Sequence, residues 1–377
     1  MVLIVFFTRA VSLEVWLNKG LFDREKLIYE EHLKSGTLSK VYWITYGSKD
    51  NALSKNLKNN KKMHAGIEVV GMPSFFNIPK IGNYLYSILM PFYYKNIFVS
   101  SDILKINQMD GSWSAVIAKI IYKKPLILRT GYTLSLFLKK SNKSKATIWL
   151  SNAVEKIAYK FCDIAVVSSY QDKKYLLEKY KFLKNKLKVI SNYIDISVFK
   201  PMNTKKYSNR LLFIGRLNHQ KNLFNLIDAA YKTNMILDIY GKGELEDELR
   251  LYANKNHVTV NFNNTVPNSE LPKIINHYKL YLLPSFYEGT PKTLLEAMAC
   301  GLICIGTDVI GINEIIENEI NGYLIKGTDS ESISVVVNKA VDNNREIMRN
   351  NAIKTVRKNY NLELYVASEK SIFLNIN

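Results

Sequence analysis

The chain has 377 residues, 47% of them hydrophobic, and a formal net charge of +19. That length exceeds what one hydrophobic core usually holds, and that apolar content excludes a disordered chain, so two folded domains are expected. Three cysteines, Cys162, Cys300 and Cys304, are too few for a disulfide framework and read as small core residues in a reducing, cytoplasmic setting.

In chain order, strand-like runs fall at 2–8, 41–46, 67–71, 103–108, 125–130, 163–168 and 187–191, with helix-like runs at about 22–34, 81–95, 112–123, 147–161 and 170–180. After the polar stretch Met202–Asn209 a second series begins: strands at 210–214, 236–240, 258–261, 280–283, 302–306 and 323–325, again with helices between. Short apolar strands alternating with helices predict parallel sheets. The fold class is therefore α/β, two doubly wound (Rossmann-like) domains facing across a cleft, divided as 1–200 and 201–360. Neither apolar candidate spans a membrane, because Val2–Phe7 is short and Asn83, Pro91 and Lys95 interrupt 81–99.

Ligands of such sheets bind at the carboxyl ends of the strands, so the residues just after each strand carry the chemistry. The strand 210–214 runs into Gly215-Arg216, with Lys221 five residues on. A glycine there lets a ligand approach the backbone, and the two cations offer a fork and a point charge to a diphosphate. The strand 280–283 runs into Glu288-Gly289-Thr290-Pro291-Lys292-Thr293, then Glu296. Thr290 reads as a helix N-cap, Pro291 as the first helical residue and Gly301 as the stop. A new helix N-terminus seats phosphate, and carboxylates at Glu288 and Glu296 would grip the two ends of a nucleotide sugar. Glu296 lies among Leu294, Leu295, Ala297 and Met298, where a carboxylate must be paired or hydrogen-bonded. Gly241 and Gly243 after the strand 236–240 fit a ligand-facing turn and a plain turn equally well.

Two glutamates separated by seven residues, the second followed by Ala-Met-Ala-Cys-Gly, resemble the donor site of family 4 glycosyltransferases, retaining enzymes of the GT-B architecture. The likeness runs from about 163 to 327. It implies that Glu288 contacts the transferred sugar, that Glu296 holds the ribose diol and that Arg216 and Lys221 neutralise the leaving diphosphate. It further implies that Gly215, Val266, Gly289, Thr290, Pro291, Lys292 and Thr293 complete the donor site, that the anomeric configuration is retained and that 361–377 crosses back to the first domain. The donor would be a nucleotide sugar of the UDP or GDP type and the acceptor a saccharide, lipid-linked in a bacterial surface-glycan pathway. No cofactor is expected. No metal is expected either, since the chain has no Asp-x-Asp signature and the two cations can do that work.

The first half departs from the family pattern. Its first strand ends Phe7-Thr8-Arg9 in place of a glycine-rich loop, and the strand Pro125–Arg129 continues Thr130-Gly131-Tyr132 where many members carry a histidine. Arg9, Asp110, Arg129 and Tyr132 are the candidate contacts to acceptor or sugar; Asp110 reads equally well as a neighbour of a helix cap. Residues 1–200 hold 32 Lys+Arg against 14 Asp+Glu and the remainder 20 against 19. The basic half fits either a plain solvated surface or contact with an anionic membrane surface on the inner face of the plasma membrane. Lys139, Lys140, Lys143 and Lys145, with aromatic Tyr84, Tyr86, Phe92, Tyr93, Tyr94 and Phe98, are the candidates for a peripheral grip, and fit equally a solvated loop and a core, respectively. Nucleic acid is not expected as a partner. Competing readings are a non-catalytic nucleotide-sugar-binding partner of a glycan assembly complex, a sugar-nucleotide epimerase and a phosphorylase.

Overall fold

The structure is a computed structural model that describes residues 1–131, 134, 135, 138, 144–341 and 345–376. Tyr132 and the lysines at 139, 140 and 143 lie outside the described residues. The chain forms two compact units, Met1–Ile190 with Val366–Asn377, and Ser191–Tyr365.

The first unit is built on strands β1 (Val2–Phe6), β2 (Lys40–Ile44), β3 (Ile67–Val70), β4 (Ile103–Ile106), β5 (Leu126–Thr130), β6 (Ile164–Val167) and β7 (Leu187–Val189). They lie in the order β3-β2-β1-β4-β5-β6-β7, all parallel, with Leu3 paired to Val41 on one side and Ile103 on the other. The strands are mostly apolar, with Lys105 in β4 and Arg129 in β5 among the exceptions, because helices cover both faces of the sheet. Over one face, Tyr86, Met90, Ala115, Ala118, Ala158 and Tyr159 form a core with Phe6, Leu104 and Leu128. They come from helices Gly82–Tyr93, Ser112–Tyr122 and Lys145–Phe161.

The other face holds a charged knot. Lys105, pointing inward from β4, donates to Glu369 Oε1 at 2.5 Å, while His32 Nε2 lies 3.3 Å from Glu369 Oε2. Lys105 also sits over the Tyr29 ring, and Asn107 donates to the Tyr29 hydroxyl. Burial pushes the Glu369 carboxyl up, but Lys105 and His32 outweigh it and hold it at about 2. Burial lowers Lys105 from its ordinary value. Glu369 belongs to helix Leu362–Asn375, so this knot ties the end of the chain into the first unit.

Several expected boundaries move. The helix expected over 81–95 ends at Tyr93 and a short helix, Lys95–Val99, follows. Pro91 lacks the N–H that the ladder needs there, and Tyr94 leaves helical geometry. Helices Leu13–Asn18 and Asp50–Asn59 were not expected; the second, DNALSKNLKN, is too polar for its periodicity to stand out.

The second unit is built on β8 (Arg210–Ile214), β9 (Ile236–Tyr240), β10 (Val260–Asn263), β11 (Leu280–Leu283), β12 (Ile303–Thr307) and β13 (Tyr323–Ile325). Their order is β10-β9-β8-β11-β12-β13. Every residue of β11 is buried, as a central parallel strand requires. In both units the strand order reverses beside the first strand, at β1/β4 and at β8/β11. Crevices outside such reversals are where doubly wound sheets bind ligands.

Candidate active site

At the β8/β11 reversal the predicted donor residues converge. Gly215 follows β8, and its backbone N–H donates to Tyr240 O at 3.0 Å. A Cβ on Gly241 would fall 1.8 Å from Gly215 O, and one on Gly243 would fall 2.1 Å from Leu217 O. The turn after β9 therefore needs both glycines to press against the Gly215–Leu217 segment, so this Gly-x-Gly shapes the site's floor.

Arg216 is exposed. Lys221 closes a short 3-10 turn, His219–Lys221, and pairs with the Glu288 carboxylate. Both partners are largely buried, with side-chain exposures of 11% and 8%. The turn is sewn to the Glu288 loop on both sides of the pair: Phe286 N donates to Gln220 O at 2.9 Å, and Gln220 Nε2 donates to Tyr287 O at 2.7 Å. Just beyond, Asn222 has φ +55° and donates to Pro284 O and Thr328 O. That left-handed residue starts helix Leu223–Lys232 and fixes the turn against the end of β11.

Glu288 and Gly289 are pressed from the other side by Gly311, at φ +82°, where a Cβ would sit 1.7 Å from Gly289 O. Helix Lys292–Ala299 then begins with Pro291 as N-cap and no side-chain cap. This corrects the expectation of Thr290 as N-cap and Pro291 as first helical residue. Pro291 is extended, at ψ 109°, so the helix starts one residue later. Thr290 is buried and its carbonyl accepts from Asn192 Nδ2 at 2.8 Å. Pro291 offers no side-chain oxygen to the first amides of the helix, and the positive end of a helix suits an anion. Gly301 follows Cys300 at φ +75°, the left-handed stop expected there.

Further along the helix, Glu296 is 1% exposed and its Oε1 accepts from Asn268 Nδ2 at 3.0 Å. Asn268 follows Val266 and Pro267, which brings the half-buried Val266 into the neighbourhood of Glu296. Thr293 is anchored by the Tyr281 hydroxyl at 2.7 Å, and Lys292 lies over the Tyr193 ring at 5.1 Å. Sequence reasoning missed Gln220, Asn268, Asn192 and Tyr281. Each is an ordinary polar residue whose role exists only through a partner distant in sequence.

In the first unit, Arg9 and Asp110 meet at the β1/β4 reversal in a two-pronged pair, Nε to Oδ1 at 3.0 Å and Nη2 to Oδ2 at 3.1 Å. The Arg9 guanidinium lies 4.3 Å from the Tyr84 ring centre and 6.0 Å from that of Trp113. The Tyr84 and Trp113 rings lie nearly parallel at 6.4 Å. The helix after Asp110 is capped by Gly111 at φ +88°, so Asp110 is the neighbour of a helix cap and also pairs with Arg9 across the switch point. Arg129 lies within β5, half-buried, and its charge reaches Lys105. It therefore borders the buried knot, one residue short of the strand end. Sequence reasoning also missed Tyr84 and Trp113 as partners of Arg9.

Two parallel-sheet α/β units with strand orders of this kind are those of the GT-B fold. Over 99% of both chains, the structure is similar to Anabaena Alr3699/HepE in complex with UDP and glucose, with a TM-score of 0.77 at 16% identity. Residues 197–359 match the family model described as glycosyl transferases group 1. That match covers less than half of the chain; together with the relatives below, it supports a family 4-like glycosyltransferase. Among its relatives is the UDP-Gal:alpha-D-GlcNAc-diphosphoundecaprenol alpha-1,3-galactosyltransferase of Escherichia coli. It is 27% identical over 270 residues, which cover 65% of this chain and 68% of the relative. Another is the GalNAc-alpha-(1->4)-GalNAc-alpha-(1->3)-diNAcBac-PP-undecaprenol alpha-1,4-N-acetyl-D-galactosaminyltransferase of Campylobacter jejuni, 28% identical over 254 residues, 63% of this chain and 65% of the relative.

Proposed function

We propose that this protein transfers a hexosyl or N-acetylhexosaminyl group from a UDP-sugar to a lipid-linked saccharide, with retention of configuration and without a metal ion. The observation that carries this reading is the meeting of Lys221 and Glu288 at the turn that follows Gly215-Arg216, with Glu296 further along the helix that follows. The diphosphate would lie against Arg216, Lys221 and the amides at the start of helix Lys292–Ala299, so that charge developing on the leaving group meets fixed donors. Glu288 would take the sugar hydroxyls and Glu296, steadied by Asn268, the ribose diol. Arg216 and Lys221 supply the positive charge that a divalent ion supplies elsewhere.

Uridine is favoured over guanosine because the Escherichia coli relative is named for UDP-Gal and the Anabaena structure is a complex with UDP and glucose. Both named relatives act on undecaprenol-linked acceptors, which supports a lipid-linked acceptor here. On this reading residues 1–200 with 361–377 bind acceptor, residues 201–360 bind donor, and the protein works in the cytoplasm at the inner membrane surface.

Thermal unfolding with UDP, GDP, ADP and their sugar conjugates tests the donor site. A ligand at a hundred times its Kd stabilises the fold by about 2.7 kcal/mol. A shift with the uridine ligands that disappears in Glu296→Ala is expected. A shift with none of them, or one that survives Glu296→Ala, refutes the assignment.

A further inference from the structure

Helices Gly82–Tyr93, Ser112–Tyr122 and Lys145–Phe161 pack side by side over one sheet face of the first unit. Their inner sides form the core, yet their outer sides are apolar too. Ile81, Leu85, Ile88, Leu89 and Phe92 stand exposed along the first helix, Phe92 by 57%. Ile120 and Ile121 continue the surface on the second helix. Trp149, Leu150, Ile157 and Phe161 form a stripe on the third, with Trp149 exposed by 72%. Tyr86 and Phe98, which sequence reasoning counted with this surface, are core residues.

We propose that this three-helix face lies in the plane of an anionic lipid bilayer, and that helix Gly82–Tyr93 carries a lipid-linked acceptor from the bilayer to the Arg9–Asp110 pair. The second half rests on the acceptor reading proposed above; the first does not. Charge identifies the occupant. Residues 69–101 contain no Asp or Glu, and the apolar face is bordered by exposed Lys80, Lys95 and Lys123. On the third helix exposed Lys145, Lys156 and Lys160 alternate with the apolar stripe, and its one acid, Glu155, is buried. Aliphatic side chains edged by tyrosine, tryptophan and lysine suit the boundary between headgroups and acyl chains. An interface with another protein would instead be depleted of lysine. No described helix is long and apolar enough to cross a membrane, so the face lies on the bilayer rather than through it.

The link to the acceptor is built into the same helix. From its first turns, Tyr84 places its ring against the Arg9 guanidinium at 4.3 Å. Ser87 Oγ accepts from Trp113 Nε1 at 2.8 Å, directly after Asp110-Gly111-Ser112. One short helix thus carries both the bilayer-facing side chains and the aromatic wall of the β1/β4 crevice. An acceptor whose diphosphate stays at headgroup level could present its sugars to Arg9, Tyr84 and Trp113 without leaving the lipid.

The test is flotation with vesicles of phosphatidylcholine alone and of phosphatidylcholine mixed with phosphatidylglycerol. The protein should float with the mixed vesicles, and more weakly at high salt. Ile88→Ser combined with Phe92→Ser should lower partitioning by on the order of tenfold or more, a factor of ten corresponding to about 1.4 kcal/mol. Ile347→Ser, a change at a still more exposed apolar residue in the second unit, should leave partitioning unaltered. Turnover of a water-soluble acceptor should stay near wild type in the double variant, while turnover of a vesicle-borne acceptor falls with partitioning. Failure to float, indifference to phosphatidylglycerol or full flotation of the double variant would overturn the bilayer assignment. So would a lipid-free dimer that the double variant dissolves, which would give the face to a second copy. Flotation without turnover of any acceptor would leave the bilayer assignment standing and overturn the acceptor half alone.

Discussion

Replacing Lys221 by Met separates the role of the Lys221–Glu288 pair in stability from its role in catalysis. Both side chains are largely buried, so removing the cation strands the Glu288 carboxylate in a poorly solvated loop. Breaking a fully buried pair costs about 3–5 kcal/mol; with the partial exposure recorded here, about 2–3 kcal/mol is expected. For a domain of roughly 150–250 residues each kcal/mol moves the midpoint by about 2–4 °C, so Tm should fall by about 4–12 °C. Arg216 is the contrast, because its exposed side chain makes no ion pair with the described residues. Arg216→Ala should leave stability within about 0.5 kcal/mol of wild type. Both variants should nonetheless lose on the order of 10²–10³ in kcat, the effect of deleting one preorganised donor to a developing anion. The assay is a pair of measurements on each variant: a ligand-free melting curve, and steady-state turnover of a UDP-sugar on a soluble acceptor analogue. If Arg216→Ala melts as early as Lys221→Met, or if either variant keeps its rate, the reasoning from burial and charge at this site is refuted.

Glu369→Gln removes the acid from the knot with Lys105 and His32, and should destabilise the protein by about 3 kcal/mol near neutral pH by leaving Lys105 buried without its partner. The native carboxyl sits at about 2 against an ordinary 4.5. Its contribution is therefore complete above about 4.5 and is lost as pH falls toward about 2; the Tm gap between wild type and variant should close over that window. A gap that stays constant through it would show that Glu369 is not held down by its partners. Gly311→Ala forces a Cβ to within 1.7 Å of Gly289 O at a left-handed φ. It should lower stability by about 1–2 kcal/mol and, by displacing Glu288, reduce kcat by on the order of tenfold or more; unchanged kinetics would mean the loop is not braced there. Glu288→Gln should narrow the ratio of UDP-sugar to UDP affinity measured by calorimetry, and a ratio identical to wild type would place the sugar away from Glu288.

What was legible in the sequence was whatever is local. The apolar runs of β8 and β11 fixed two strand ends, and the run from Glu288 to Gly301 marked a loop, a helix and its stop. The helix start slipped by one residue because Thr and Pro favour the cap and first positions only when the backbone permits it, and Pro291 here is extended. The pairings were not legible. Lys221 and Glu288 stand 67 residues apart and Arg9 and Asp110 stand 101 apart; each could be placed at a strand end, yet only the order of strands brings the ends together. Lys105 is the extreme case, a lysine in a buried strand that makes sense only once Glu369 arrives from 264 residues away. Tyr84 and Trp113 carried aromatic character but no sign that both would gather on Arg9.

The two switch points share a physical device, a cation and a carboxylate that neutralise each other across the strand reversal. On the proposed reading, an unpaired lysine at the β8/β11 crevice would take phosphate of any kind, and an unpaired glutamate there would repel the donor's diphosphate. Paired, each is satisfied until a ligand offers both a diphosphate to Lys221 and hydroxyl donors to Glu288. On the proposed reading a nucleoside diphosphate alone meets only half of that requirement: it draws Lys221 away and leaves Glu288 beside a second anion, a costly arrangement in a largely buried loop. A nucleotide sugar meets both, because the sugar hydroxyls replace the hydrogen bonds Glu288 gives up. Preference for the charged donor over its spent product then follows from the pair itself, and the energy that loosens the product is the energy with which Lys221 and Glu288 recombine.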